Sequence, residues 1–147
     1  SQTSSDKKGG FEDDADFIDC YSRAQAIADG VLVDVSAHKE VREAGFKVPV
    51  ALTAAVWDRF VEWDNDDVRK EQQSLGQSTA GRLWDVMYMA FYAIRHSRVG
   101  GDVLFYDLHV IERDGFSTTP RGIRLKLHSG AGDHGEHVIT IMLPEED

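Results

Sequence analysis

A single cysteine, Cys20, occurs in 147 residues. An internal disulfide framework is therefore excluded, and the composition points to a reducing cytoplasm. Long apolar runs are missing too, since no stretch reaches the roughly 20 residues that cross a bilayer. The amino-terminal SQTSSDKKGGFEDD has no hydrophobic run after its lysines, unlike a secretory signal. Positive charge is scarce, with 16 Lys and Arg against 26 Asp and Glu and a formal net charge of −10. Phosphates and anionic lipids repel such a surface, which argues against direct nucleic-acid binding and against a membrane role. No internal repeat, no Walker-type or GxGxxG phosphate loop and no HExxH helix is present.

The acidity is confined to three places. Residues 1–20 carry a net −4, residues 58–71 (DRFVEWDNDDVRKE) −3 and residues 145–147 −3, while the rest of the chain balances. Residues 1–16 are polar and contain Gly9-Gly10, so they read as a flexible acidic tail. Residues 17–147 are enough for one domain with a substantial core.

Apolar residues are plentiful and periodic. In AGRLWDVMYMAFYAIR (residues 80–95), Leu83, Trp84, Met87, Phe91 and Ile94 recur at three- and four-residue steps. Val86, Tyr88, Met89, Ala90 and Tyr92 extend the apolar character around the circumference, predicting a long, buried central helix about 24 Å in length. Ser78 or Thr79 is its N-cap. Upstream, Ser22 and Gln25 form a capping-box pattern opening a short helix that ends at Gly30. VLVDV (31–35) is extended, and Ser36 is an N-cap candidate before AHKEVREA, with Gly45 closing that helix. FKVPVAL (46–52) is extended, because Pro49 pushes Val48 out of the α region. Thr53 caps AAVWDRFVEW, with Val56, Trp57, Phe60, Val61 and Trp63 on one stripe.

The last third changes period. Leu104, Tyr106, Leu108 and Val110 alternate with Asp107 and His109; Ile123, Leu125 and Leu127 alternate with Arg124, Lys126 and His128. A glycine-rich loop, SGAGDHG, leads to VITIML and the stop at Pro144. The fold class is α+β: N-terminal helices and the central helix packed on a C-terminal three-stranded antiparallel meander, with one or two additional short strands from the earlier extended runs.

Two constellations carry chemical interest. His128, Asp133, His134, Glu136 and His137 bring imidazoles and carboxylates to one loop, a donor set suited to zinc or another divalent metal. The competing reading is a polar hairpin facing water, favoured because the loop is glycine-rich and lacks a helical ligand register; no cofactor is then needed. Asp85, an acid inside the central helix, reads as paired with Arg82 or another base, the functional alternative being a general base in a pocket. The aromatic residues at helical spacing read as core, except Trp63, which stands at the edge of the acidic segment where an interface would use it. Cys20, beside Asp16 and Asp19, makes a poor nucleophile.

Four blocks, YSRAQAIADGVLVDVS, EAGFKVPVALTAAVW, AGRLWDVMYMA and GEHVITIMLPEED, occur in this order from Tyr21 to Asp147. The chain thereby resembles an uncharacterised family of small acidic proteins carried by bacterial plasmids, integrated elements and phages. The resemblance implies a mobile element in a bacterial host cytoplasm and supplies no catalytic motif. With the localised charge, it leads to the expectation of a non-enzymatic interaction protein that inhibits a host defence complex, of the antirestriction or anti-CRISPR kind, by mimicking phosphates. The partner would be a protein with a basic nucleic-acid-binding surface. Asp58, Glu62, Trp63, Asp64, Asp66, Asp67, Glu71, Glu145, Glu146 and Asp147 would meet it. The alternatives are a small metal-binding protein or enzyme using His128, His134 and His137, and a homodimer formed through a sheet edge or Trp63.

Overall fold

The computed structural model describes residues 21–64, 72, 75–98, 100–114 and 116–147. The expected tail lies outside them, as do Cys20, Asp66, Asp67 and Glu71. The elements are α1 (Arg23–Ala28), β1 (Leu32–Asp34), α2 (Lys39–Ala44), β2 (Val50–Thr53), α3 (Ala54–Val56, prolonged by a π-helical turn over Trp57–Val61), α4 (Thr79–His96), β3 (Val103–Val110), β4 (Arg121–Ala131) and β5 (His137–Met142). The strands form one five-stranded mixed sheet in the order β1-β2-β5-β4-β3. The α+β expectation holds, and β3, β4 and β5 form the antiparallel meander.

The two additional strands join at the β5 side, where β2 pairs with β5 in parallel and β1 pairs with β2 antiparallel. β2 thereby becomes an interior strand, and all four of its residues are buried. An interior strand has neighbours at both edges and protein on both faces, which suits the apolar Val50-Ala51-Leu52 run.

Registry on the inner face sets Leu104 opposite Leu127, Tyr106 opposite Leu125 and Leu127 opposite Ile141. Leu83, Val86, Met87 and Ala90 of α4 join these in a continuous core that also takes in Val41 of α2 and Phe60 of α3. Burying a residue such as Leu125 contributes roughly 2–3 kcal/mol. Tyr106 keeps its polar end satisfied in this core by donating to the carbonyl oxygen of Val86 at 3.1 Å.

Several local expectations are met. Ser22, Thr53 and Ser78 accept from backbone N–H groups at the starts of α1, α3 and α4. Others are redirected. Gln25 reaches forward to Asp29 at 2.9 Å instead of back to Ser22, so only half of the capping box forms. Ser36 does not cap α2, whose N-cap is His38. Its hydroxyl accepts from the Val50 N–H at 2.9 Å and donates to the Val50 carbonyl at 3.2 Å, extending the β1–β2 pairing by side chain. The glycine-rich loop is shorter than expected because β4 runs through Ser129, Gly130 and Ala131, leaving a turn closed by Gly132 N–H to Glu136 O at 2.6 Å.

The largest difference concerns α4. Burial falls on Arg82, Leu83, Val86, Met87 and Ala90, while Tyr88 and Tyr92 are about half exposed (50% and 49%) and Ile94 is 36% exposed. The helix is covered on one side and open on the other. Tyrosine made this hard to foresee, since its ring suits a core and its hydroxyl suits water.

Candidate functional site

The acidic segment begins on the π-helical turn of α3, which Glu62 N–H closes by bonding Trp57 O at 2.8 Å. Asp58 and Asp64 are exposed. Their surroundings are not uniformly negative, because arginines interleave with the acids. Glu62 lies 3.8 Å from Arg113, and Glu112 is held by Arg59 at 3.2 Å and Arg121 at 2.6 Å.

Trp63 does not serve as a surface anchor. It is 7% exposed, packs with Ile111 and Leu75, and carries the Arg82 guanidinium 4.9 Å from its ring centroid. Arg82 explains this corner. It donates to the carbonyl oxygens of Val61 (3.1 Å), Ile111 (2.8 Å) and Arg59 (3.1 Å) and to Oε1 of Gln77 (3.0 Å). Burial, with Arg113 adding to it and Glu112 and Asp85 opposing, brings its pKa down to about 10. The expected Arg82–Asp85 pairing is thus replaced by carbonyl ligation, and Asp85 sits at the rim of a pocket beside Arg82, where partial loss of water raises its pKa against the pull of Arg82.

At the carboxyl end, Glu145 and Asp147 are exposed, but Glu146 is built into the fold. Its Oε1 accepts from Thr53 Oγ1 and from Leu143 N–H, each at 2.8 Å, and its carbonyl oxygen accepts from Lys126 Nζ. Thr53 is the N-cap of α3. The carboxyl end is therefore tied to the start of the helix whose later turn carries Asp58. Beside this junction, on the outer face of the sheet, lies a groove of about 710 Å³ lined by Tyr21, Thr53, Lys126, His128, Met142 and Glu146 among others.

The proposed metal ligands are not gathered. Among the described residues, no three His, Cys, Asp or Glu side chains are grouped as a metal ion requires. Asp133 turns away to the start of α1 and accepts from the N–H groups of Arg23 (2.7 Å) and Ala24 (3.0 Å), which hold its carboxyl below the usual range. Glu136 accepts from His134 N–H at 2.9 Å within the turn, and His128 faces the outer groove. His137 lies 2.5 Å from Ser129 Oγ beside a 260 Å³ pocket. A serine nucleophile needs its base oriented by a third group, and among the described residues no further side chain hydrogen-bonds to His137. On β3, Asp107 is engaged by Arg124 through two bonds of 2.8 and 3.2 Å.

Arg23 is a tie that periodicity does not announce. It crosses the outer face to donate to Thr140 Oγ1 at 2.7 Å and to the Ile139 carbonyl at 2.8 Å. No helix of the described residues is long and apolar enough to cross a membrane.

No curated protein and no solved structure matches the chain. A family of unknown function does match, over residues 9–147, which takes the likeness ahead of Tyr21 where the four sequence blocks begin. The chain belongs to that family of unknown function (DUF6573).

Proposed function

We propose that this is a non-enzymatic interaction protein of a mobile element, which occupies the basic nucleic-acid-binding surface of a host defence protein. The observation that carries the reading is the hydrogen bond from Thr53 to Glu146. It draws the acidic carboxyl end to the start of α3, the helix on which Asp58 lies further along. Asp58 is five residues beyond Thr53, about 8 Å along a helix. The net charge of −10 steers a basic partner and repels phosphates. Arg59 and Arg121 pair with Glu112, and Arg113 lies beside Glu62, so the exposed Asp58, Asp64, Glu145 and Asp147 are the acids offered to the partner.

The test combines capture of a partner from a bacterial host lysate with titration of the purified pair. Binding should weaken steeply between low and physiological salt, and D58K/D64K/E145K should loosen it at least tenfold. The same partner's nucleic acid should compete. Affinity indifferent to salt and to the triple reversal removes the phosphate-mimic reading.

A further inference from the structure

We propose that the open face of α4 is a homodimer surface on which a second copy of this chain lies antiparallel. Trp84, Tyr88, Tyr92 and His96 follow one another at four-residue steps along the helix, and such steps form a single inclined ridge. The rings are already ordered in pairs. Trp84 and Tyr88 have centroids 5.6 Å apart, and Tyr92 and His96 stack at 4.0 Å. Tyr88 and Tyr92 are half exposed in the middle of this ridge, and among the described residues no element packs over them.

Charge identifies the occupant. Asp85 flanks this face toward the amino end of α4, at the rim of a 110 Å³ pocket it shares with Arg82 and His109, and Arg95 stands toward the carboxyl end; both are exposed. The face is nearly palindromic about Ala90: Trp84 and Asp85 at one end, Arg95 and His96 at the other, with the tyrosines between. A two-fold interface must be complementary to itself. Antiparallel pairing meets that requirement, since it lays the acidic end of each helix over the basic end of the other and sets tyrosine ridge against tyrosine ridge. Parallel pairing would instead bring like charges together, and it would also align the helix dipoles unfavourably. The net charge of each copy opposes association, but screening at physiological salt damps that repulsion beyond about 8 Å and leaves the charges at the contact to decide. This surface is separate from the acidic junction at Thr53, so either proposal can fail alone.

Sedimentation velocity on the full chain tests it, with circular dichroism confirming that the exposed substitutions leave the fold intact. The wild-type chain should show a reversible dimer. D85R and R95D should each weaken self-association about tenfold or more by opposing like charges, and D85R/R95D should restore it. Y88E should abolish it. A chain that stays monomeric as concentration is raised overturns the proposal, and so does a dimer insensitive to D85R and Y88E. A double variant no stronger than its parents overturns the antiparallel arrangement.

Discussion

Arg82 divides its guanidinium among three backbone carbonyls and one amide oxygen, and those carbonyls come from the end of α3 and the end of β3. One side chain of α4 thus ties the ends of two other elements together. Replacing it with methionine keeps much of the aliphatic stem and leaves the carbonyls of Arg59, Val61 and Ile111 without that donor. R82M should lose about 3 kcal/mol of stability in urea titration. R82K should recover less than half of that, because an ammonium lacks the planar fork. The same logic separates Glu146 from its neighbours. Three consecutive acids look alike in the sequence, yet Glu146 holds Thr53 and Leu143 while Glu145 and Asp147 face solvent.

At the scale of elements, α2 and α4 pack closely because Gly45 ends α2. Its φ of 122° is open to glycine, and a Cβ there would lie 2.6 Å from Cζ of Phe91, whose ring also meets Phe46 edge-on. G45A should therefore cost about 1–3 kcal/mol through clash and backbone strain together. F91L in the same chain should return part of the loss in thermal melts, since only the clash component depends on that ring. The π-helical turn at Trp57–Val61 has a related consequence. Wider winding buries Phe60 and Val61 together, and the chain beyond it turns Trp63 inward against Ile111. A regular helical count places Val56, Phe60 and Val61 on the buried stripe, but the helix ends at Val61, and Trp63, expected on the same stripe, is enclosed beyond it.

For the whole molecule, acid is the revealing perturbation. Asp114 is held down to about 2, chiefly by the N–H groups of Ser117 and Phe116, and Asp107 and Asp133 are lowered by Arg124 and by the start of α1. A depressed carboxyl contributes stability that is complete above its ordinary value of 3.8 and is lost as pH falls through the folded value. Asp85 works weakly in the opposite sense, because burial raises its carboxyl. Thermal stability should therefore drop between about pH 4 and pH 2. D114N should start lower and show a shallower decline over that window, and an unchanged slope would remove Asp114 as a contributor.

Sequence alone determined the elements whose signals are local. Caps at Ser22, Thr53 and Ser78, the break at Gly45 and the strand alternation in the meander all depend on residues within a turn or two of one another, and these set the α+β class. It also determined the net charge and where that charge sits along the chain. Tertiary structure decided what depends on distant partners: β2 beside β5 in parallel, Asp133 at the start of α1 across 110 residues of chain, Trp63 enclosed, and α4 open on its tyrosine side. It also decided which acids are engaged in the fold and which face outward. The physical reason is that a cap or an alternation is satisfied by its own neighbourhood, whereas a buried arginine, an interior strand or an exposed aromatic ridge is defined only by what the rest of the chain places against it.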